Sequence, residues 1–247
     1  MLKNDINIPI MLFLYKKSMF CEIVKKINTL FMKKFNINVL PIIGMSPGNS
    51  YFNQETISKL LRKVLEKYDY AVIFVPDIPA ISTYEATGYS FKKAKRKARL
   101  KSNNLKNKTH HSIKQCAISN ELVYVLNWKE DVQILPLYIE SYDRIADLFQ
   151  NNKKFRNEIL NTTRGVLESS GKDIVDMQKS LLKGSEYILS EFAFLEICPK
   201  LFGCKEARFI YHKDWPVYQD YISGSFDNSQ RGYLGFEKIS FTQDIKN

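Results

Sequence analysis

Three separated clusters in this sequence combine residue types that can do acyl chemistry. The first is Gly44-Met45-Ser46-Pro47-Gly48-Asn49-Ser50-Tyr51-Phe52, in which a serine hydroxyl stands between two glycines. Glycines let a substrate approach the backbone closely and leave N–H groups free to face a developing oxyanion. The pentapeptide fits G-x-S-x-G, the nucleophile elbow of α/β hydrolases. It equally fits a plain strand-to-helix connection that needs Gly, Pro and Asn for its geometry. The second cluster, Tyr187-Ile188-Leu189-Ser190-Glu191, sets a phenol and a carboxylate four residues apart, on one helical face. Among Leu189, Phe192, Phe194 and Leu195, that carboxylate is either on a solvent stripe or in an apolar site that raises its pKa toward general-base range. The third is Phe209-Ile210-Tyr211-His212-Lys213-Asp214-Trp215-Pro216, where His212 is a base, an orienting group or a structural residue.

These clusters need elements to hold them. Phe20, Ile23, Val24, Ile27, Leu30 and Phe31 recur at helical spacing, and a β-branched apolar run, 37–43, follows as a strand. After Asn53, a candidate N-cap, Ile57, Leu60, Leu61, Val64 and Leu65 repeat the helical pattern, and 70–75 is a second buried strand. Two continuous apolar strands around one amphipathic helix make the βαβ unit of a parallel sheet covered on both faces. The expected fold is an α/β Rossmann-like three-layer sandwich with a mostly parallel sheet, a single domain over 1–247. In such a sheet ligands bind beyond the carboxyl ends of the strands, which is where Ser46 falls. Further on, 123–128 reads as a strand, 139–149 and 155–167 as helices, and 174–197 as a long helix ended by Pro199 and Gly203. A strand at 207–211, a loop with Pro216 and a closing segment 233–241 complete the chain.

The charge is localised. Of 247 residues 37 are Lys or Arg and 26 Asp or Glu, a net +11. Between Glu85 and Glu121 lie ten basic residues and no acidic one, and without those ten the balance is 27 to 26. On a helical wheel Phe91, Ala94, Ala98 and Leu105 share a narrow arc, so 90–108 reads as a helix docked by a small-residue seam with a cationic exterior. Uninterrupted like charge destabilises an isolated helix and points to a polyanionic partner. Sparse aromatics favour phosphate contact with a folded nucleic acid over base stacking.

Other classes fit poorly. The apolar run 8–15 is too short to span a bilayer, and Asp5 before it and the lack of a small-residue cleavage site argue against a signal peptide. Cys21, Cys116, Cys198 and Cys204, with His110, His111 and His212, form no zinc-ligand spacing, so no metal is expected and the cysteines read as small hydrophobes in a reducing cytoplasm.

In the order Ser46, basic helix, Tyr187 with Glu191, and Tyr211-His212, the chain resembles the tRNA-dependent cyclodipeptide synthases over roughly four-fifths of its length. Asn49 with Tyr211 and His212 is similar to the branch defined by an Asn, a Tyr and a His. The resemblance implies a fold similar to the catalytic domain of class I tyrosyl- and tryptophanyl-tRNA synthetases, without an ATP site; no Walker or synthetase phosphate motif is present.

It also implies a ping-pong transfer from two aminoacyl-tRNAs through a Ser46-linked aminoacyl- and then dipeptidyl-enzyme, to a 2,5-diketopiperazine. The enzyme would be a monomer without cofactor, ATP, DNA or membrane partners. Tyr187 and Glu191 would hold the α-ammonium and manage protons, and Tyr211 would relay one at ring closure. Asn49 and His212 would shape the turn and orient Tyr211, and Tyr138 and Asp214 would line a second pocket. Lys92, Lys93, Lys95, Arg96, Lys97, Arg99 and Lys101 would meet the tRNA. Matching the family's first-residue pocket are Ile42, Gly44, Phe194 and Phe209, all apolar and crowded by two phenyl rings, which favours leucine or another aliphatic residue. One departure is Glu168-Ser169-Ser170, where relatives place Asn-Arg. A serine hydrolase using Ser46 and His212, and a noncatalytic tRNA-binding module, are the alternative readings.

Overall fold

Residues 37–241 are described by a computed structural model. The expected helix around Phe20 to Phe31, the run 8–15 and Cys21 lie outside them. The elements are β1 (Val39–Gly44), α1 (Gln54–Leu65), β2 (Ala71–Phe74), α2 (Ala80–Ala86), α3 (Phe91–Gln115), β3 (Val123–Leu126), α4 (Pro136–Asn151), α5 (Lys153–Ser169), α6 (Met177–Phe202), β4 (Glu206–Tyr211), α7 (Pro216–Ser223) and β5 (Leu234–Lys238), with a π-helical turn at Trp128–Val132.

All five strands pair in parallel in the order β3-β2-β1-β4-β5. The chain leaves the centre in one direction through β2 and β3, then returns to build β4 and β5 on the other side. The reversal opens a crevice between the carboxyl ends of β1 and β4. Strand alternation then divides the core. Ile42, Val72, Phe74 and Phe209 face α4, α5, α6 and α7. Ile43, Ile73, Val75 and Ile210 face α1 and α3.

Two expectations need correcting. Phe91 does not belong to the seam of α3: it is 59% exposed at the first position of the helix, and burial begins at Ala94. The seam is Ala94, Ala98, Ser102, Leu105, Thr109, Ser112 and Ile113, whose hydroxyl-bearing positions dilute the apolar signal of a helix that runs on to Gln115. The Pro216 segment is a helix rather than a loop, since proline is well suited to a first helical position. In α6, Pro199 sits inside the last turn and Gly203, left-handed with φ 64°, ends the helix. Cys198 and Cys204 are buried and free.

Gly44 is where the sheet meets the site. A Cβ there would lie 2.5 Å from Cε2 of Phe209 and 3.2 Å from the Phe74 ring, both in the core. Gly44→Ala is therefore expected to destabilise the protein by about 1–3 kcal/mol through overpacking. Thermal unfolding checks this; an unchanged Tm would mean that the Phe209 ring can step aside.

Candidate active site

The Ser46 turn is built by its own short-range chemistry. Asn49 N–H donates to the Ser46 carbonyl at 3.2 Å, and the Asn49 side-chain oxygen accepts from Tyr51 N–H at 3.0 Å. Gly48 adopts φ +86°, and a Cβ on it would sit 2.8 Å from the Tyr84 hydroxyl. Both features require glycine. Asn53 then caps α1 by accepting from Thr56 N–H at 2.9 Å. Of the turn's N–H groups, those of Met45 and Asn49 are already committed to carbonyls of Phe74 and Ser46.

Three hydroxyls and a carboxyl converge at this turn. Ser46 Oγ lies 3.1 Å from the Tyr211 hydroxyl, at the end of β4, and accepts from the Tyr187 hydroxyl of α6 at 3.3 Å. Tyr187 is also in hydrogen-bonding contact with Glu191 one turn along the same helix, and Tyr211 with the Asn49 side chain. Gly184, one turn before Tyr187, lets α6 press against α2 and α5: a Cβ there would meet Thr163 at 2.7 Å and Ala86 at 3.4 Å. That close approach fixes the depth of Tyr187.

Burial governs the electrostatics. Glu191 is enclosed by core, and desolvation pushes its carboxyl up to about 8, against a smaller lowering by Tyr187. Desolvation likewise raises Tyr187 well above the phenol range and Tyr211 to about 12, so both are donors near neutrality. His212 is pushed down to about 4 by burial and by Lys213. Its ring stacks on Tyr51 at 4.0 Å and meets Phe52 edge-on at 5.2 Å, with Nδ1 buried and unpartnered. The neutral imidazole thus braces the turn. Phenols rather than His212 meet Ser46, which departs from the serine-hydrolase reading.

The other expected residues divide. Ile42, Gly44, Phe194 and Phe209 lie together beneath the turn. Two residues not singled out from the sequence close around them: Phe74, 4.9 Å from Phe194 and 6.0 Å from Phe209 between ring centroids, and Trp128, 5.4 Å from Phe194. The available signal was that Phe74 ends β2, the neighbour of β1, and that Trp128 closely follows β3, the next strand out. Tyr138 reaches the same layer from α4, its ring edge-on to Trp128 at 5.7 Å and its phenol hydrogen-bonded with Ser190, beside Glu191. Asp214 lies apart, 61% exposed and ion-paired with Lys238 at 2.5 Å.

Of the seven basic residues assigned to tRNA, Lys92, Lys93, Lys95, Arg96, Arg99 and Lys101 are exposed. Lys97 instead turns inward, donating to the Tyr89 hydroxyl at 2.6 Å and covering the Tyr84 ring at 5.4 Å. Lys172 and Lys97 together hold the Tyr89 phenol down at about 8. Tyr84 in turn reaches the Pro47 carbonyl at 3.5 Å, so a file of rings links α3 to the Ser46 turn. Among the described residues no cluster of three or more His, Cys, Asp or Glu could hold a metal ion, and no helix is long and apolar enough to cross a membrane.

Known proteins share this fold. The family model for cyclodipeptide synthase matches residues 40–234. The cyclo(L-leucyl-L-leucyl) synthase of Staphylococcus haemolyticus is 25% identical over 202 residues, covering 78% of this chain and 85% of that protein. A cyclodipeptide synthase structure from Bacillus thermoamylovorans superposes with TM-score 0.71 at 20% identity, over 90% of this chain and 95% of that one. A Mycobacterium tuberculosis structure, described as relating cyclodipeptide synthetases to type I tRNA synthetases, superposes with TM-score 0.63 at 21% identity, over 80% and 81% of the two chains. With the family match spanning most of its length and the parallel sheet in place, the chain belongs to the cyclodipeptide synthase family of aminoacyl-transferring enzymes.

Proposed function

We propose that this enzyme joins two aminoacyl groups delivered by aminoacyl-tRNAs into a cyclic dipeptide, with Ser46 as the covalent carrier. The observation that carries the reading is the hydrogen-bonded series Tyr211–Ser46–Tyr187–Glu191, anchored by a carboxyl whose pKa is raised to about 8. One O–H serves one acceptor at a time. If Tyr187 turns its O–H to Glu191, its oxygen can accept a hydrogen bond from Ser46, which aims an Oγ lone pair at the ester carbonyl; as Oγ attacks, the Ser46 proton passes to the departing ribose oxygen. A new ester forms on Ser46, and the tRNA ribose hydroxyl leaves with a proton. An ester replaces an ester, so the exchange is nearly isoenergetic and consumes no nucleotide.

Glu191 and Tyr187 then hold the α-ammonium of the bound residue. When that amine must become a nucleophile toward the second aminoacyl ester, Glu191 takes its proton, which its raised pKa favours. The second tRNA leaves and a dipeptide remains on Ser46. Its free amine closes on the Ser46 ester, Tyr211 returns a proton to Oγ, and a 2,5-diketopiperazine departs. The apolar layer of Ile42, Gly44, Phe194 and Phe209, narrowed by Phe74 and Trp128, supports a leucine-containing hydrophobic product and disfavours an aromatic first residue. The leucyl-leucyl product of the Staphylococcus relative supports the same choice. The enzyme acts as a monomer in the cytoplasm, where charged tRNA is found.

Incubation with leucyl-tRNA, and with total charged tRNA, tests the reading by mass spectrometry. A cyclic dipeptide is expected; release of free amino acid alone would overturn it. Replacing Lys92, Lys93, Arg96 and Arg99 together by alanine is expected to leave Tm unchanged, because all four side chains are exposed. The log–log salt dependence of tRNA binding should flatten by about one for each phosphate that the variant no longer neutralises. An unaltered slope would remove α3 from the interface.

A further inference from the structure

A cleft of about 590 Å³ lies between the Ser46 turn and the second half of α3, sharing Lys101 alone with the residues assigned above to tRNA. Gly48, Asn49 and Ser50 form one wall. Lys101, Asn104, Lys108 and His111 form the other, and their 3-4-3 spacing puts them on one helical face. Phe52 and Leu105, both buried, form the floor. Its volume is within the ~300–1,000 Å³ usual for small-molecule sites, and no carboxylate lines it.

We propose that this cleft receives the 3′-terminal nucleotide of the aminoacyl-tRNA, with Lys101 and Lys108 on its phosphates and the base on the apolar floor. The inference rests on the proposed function and deepens it. For Ser46 to attack, the ester carbonyl must come within about 3–3.5 Å of Oγ, which places the esterified ribose beside the turn. The acyl side chain is drawn toward the Ile42 and Phe209 face, and the α-ammonium toward α6. The ribose and its phosphates therefore leave on the opposite side, where the turn faces α3. Lys101 and Lys108 are about 10 Å apart along the helix axis and bracket one nucleotide. Asn104 and His111, between and beyond them, offer an amide and an imidazole to a base edge. The cleft is preformed: Ser112 Oγ donates to the Gln54 carbonyl at 3.2 Å and the Gln54 amide to Gln115 at 2.9 Å, locking α1 to α3.

The test uses the aminoacyl ester of the trinucleotide CCA, carrying the amino acid that charged tRNA deposits on Ser46, so that the acceptor stem plays no part. Lys108→Ala and Asn104→Leu replace exposed side chains and leave the seam intact. Each is expected to lower kcat/KM for acylation by this trinucleotide ester about tenfold, through KM, and to lower it similarly for full-length substrate. Lys114→Ala, on the same helix but outside the cleft, should lower neither. Wild-type kinetics on the trinucleotide ester in both cleft variants, or losses confined to full-length tRNA, would overturn the inference and leave the parent reading standing. Failure of the unaltered protein to be acylated by charged tRNA would overturn both.

Discussion

Ser46→Ala is expected to abolish the aminoacyl adduct and to cut cyclic product by about 10⁴-fold or more, the scale of losing a covalent nucleophile. The two phenols that touch Ser46 Oγ cannot substitute for it. Burial raises Tyr211 to about 12 and Tyr187 well above the usual phenol range, so each is a proton donor at neutral pH and a poor nucleophile. Removing the hydroxyl takes a shared partner from two tyrosines in a half-buried turn, a loss of about 1 kcal/mol, so Tm should fall by only a few degrees. Intact mass after incubation with charged tRNA reads the result directly. An adduct that survives in the variant would place the nucleophile elsewhere and dissolve the mechanism; an adduct lost together with the fold would show as a collapsed Tm.

The surroundings of Ser46 also differ from what a hydrolase built on the same pentapeptide needs. A hydrolase needs an imidazole at the serine, whereas His212 is stacked on Tyr51 with its pKa pushed down to about 4. The turn sequence Gly44 to Gly48 does not distinguish the two cases. Its glycines are required here by the Phe209 ring and by the Tyr84 hydroxyl, which are packing demands unrelated to either chemistry.

That ambiguity shows where sequence reading succeeds and stops. Ile42, Ile43, Val72 and Ile73 announce buried parallel strands, because a strand covered on both faces reads as an unbroken apolar run. Ser46 beyond β1 follows from the same topology. α2 was not legible, since Ala80–Ala86 is short and packs through small residues; nor were the last two turns of α3, beyond residue 108, where Thr109 and Ser112 share the buried face with Ile113. Tyr187 and Glu191 could be placed on one helix face. That this face meets Ser46, 141 residues earlier in the chain, is a tertiary fact supplied by the close packing at Gly184. Asp214 was misleading for the converse reason. It follows Tyr211 and His212 closely in sequence, but the chain turns outward after β4 and leaves its carboxylate with Lys238.

Glu191→Gln should divide the reaction. Glutamine keeps the shape and can still accept from Tyr187, but it cannot take a proton. Acylation, which proceeds with little net charge change, should fall least, whereas formation of cyclic product should fall by about 10²–10⁴, the range for losing a positioned general base. In the unaltered enzyme kcat/KM for product should climb with pH up to about 8 as the carboxyl ionises, and the variant should lack that limb. Stability supplies an independent measure. The carboxyl titrates near 4.5 when solvated and near 8 in the fold, so between those values the native state holds a proton that the unfolded chain has released. Stability therefore falls as pH rises through this window and levels off above it. Glutamine has nothing to release, so the Tm of Glu191→Gln should gain on the unaltered protein steadily from pH 5 to pH 8. Parallel Tm curves would mean that the carboxylate is solvated, and acylation and product that fell equally would remove its part in activating the amine.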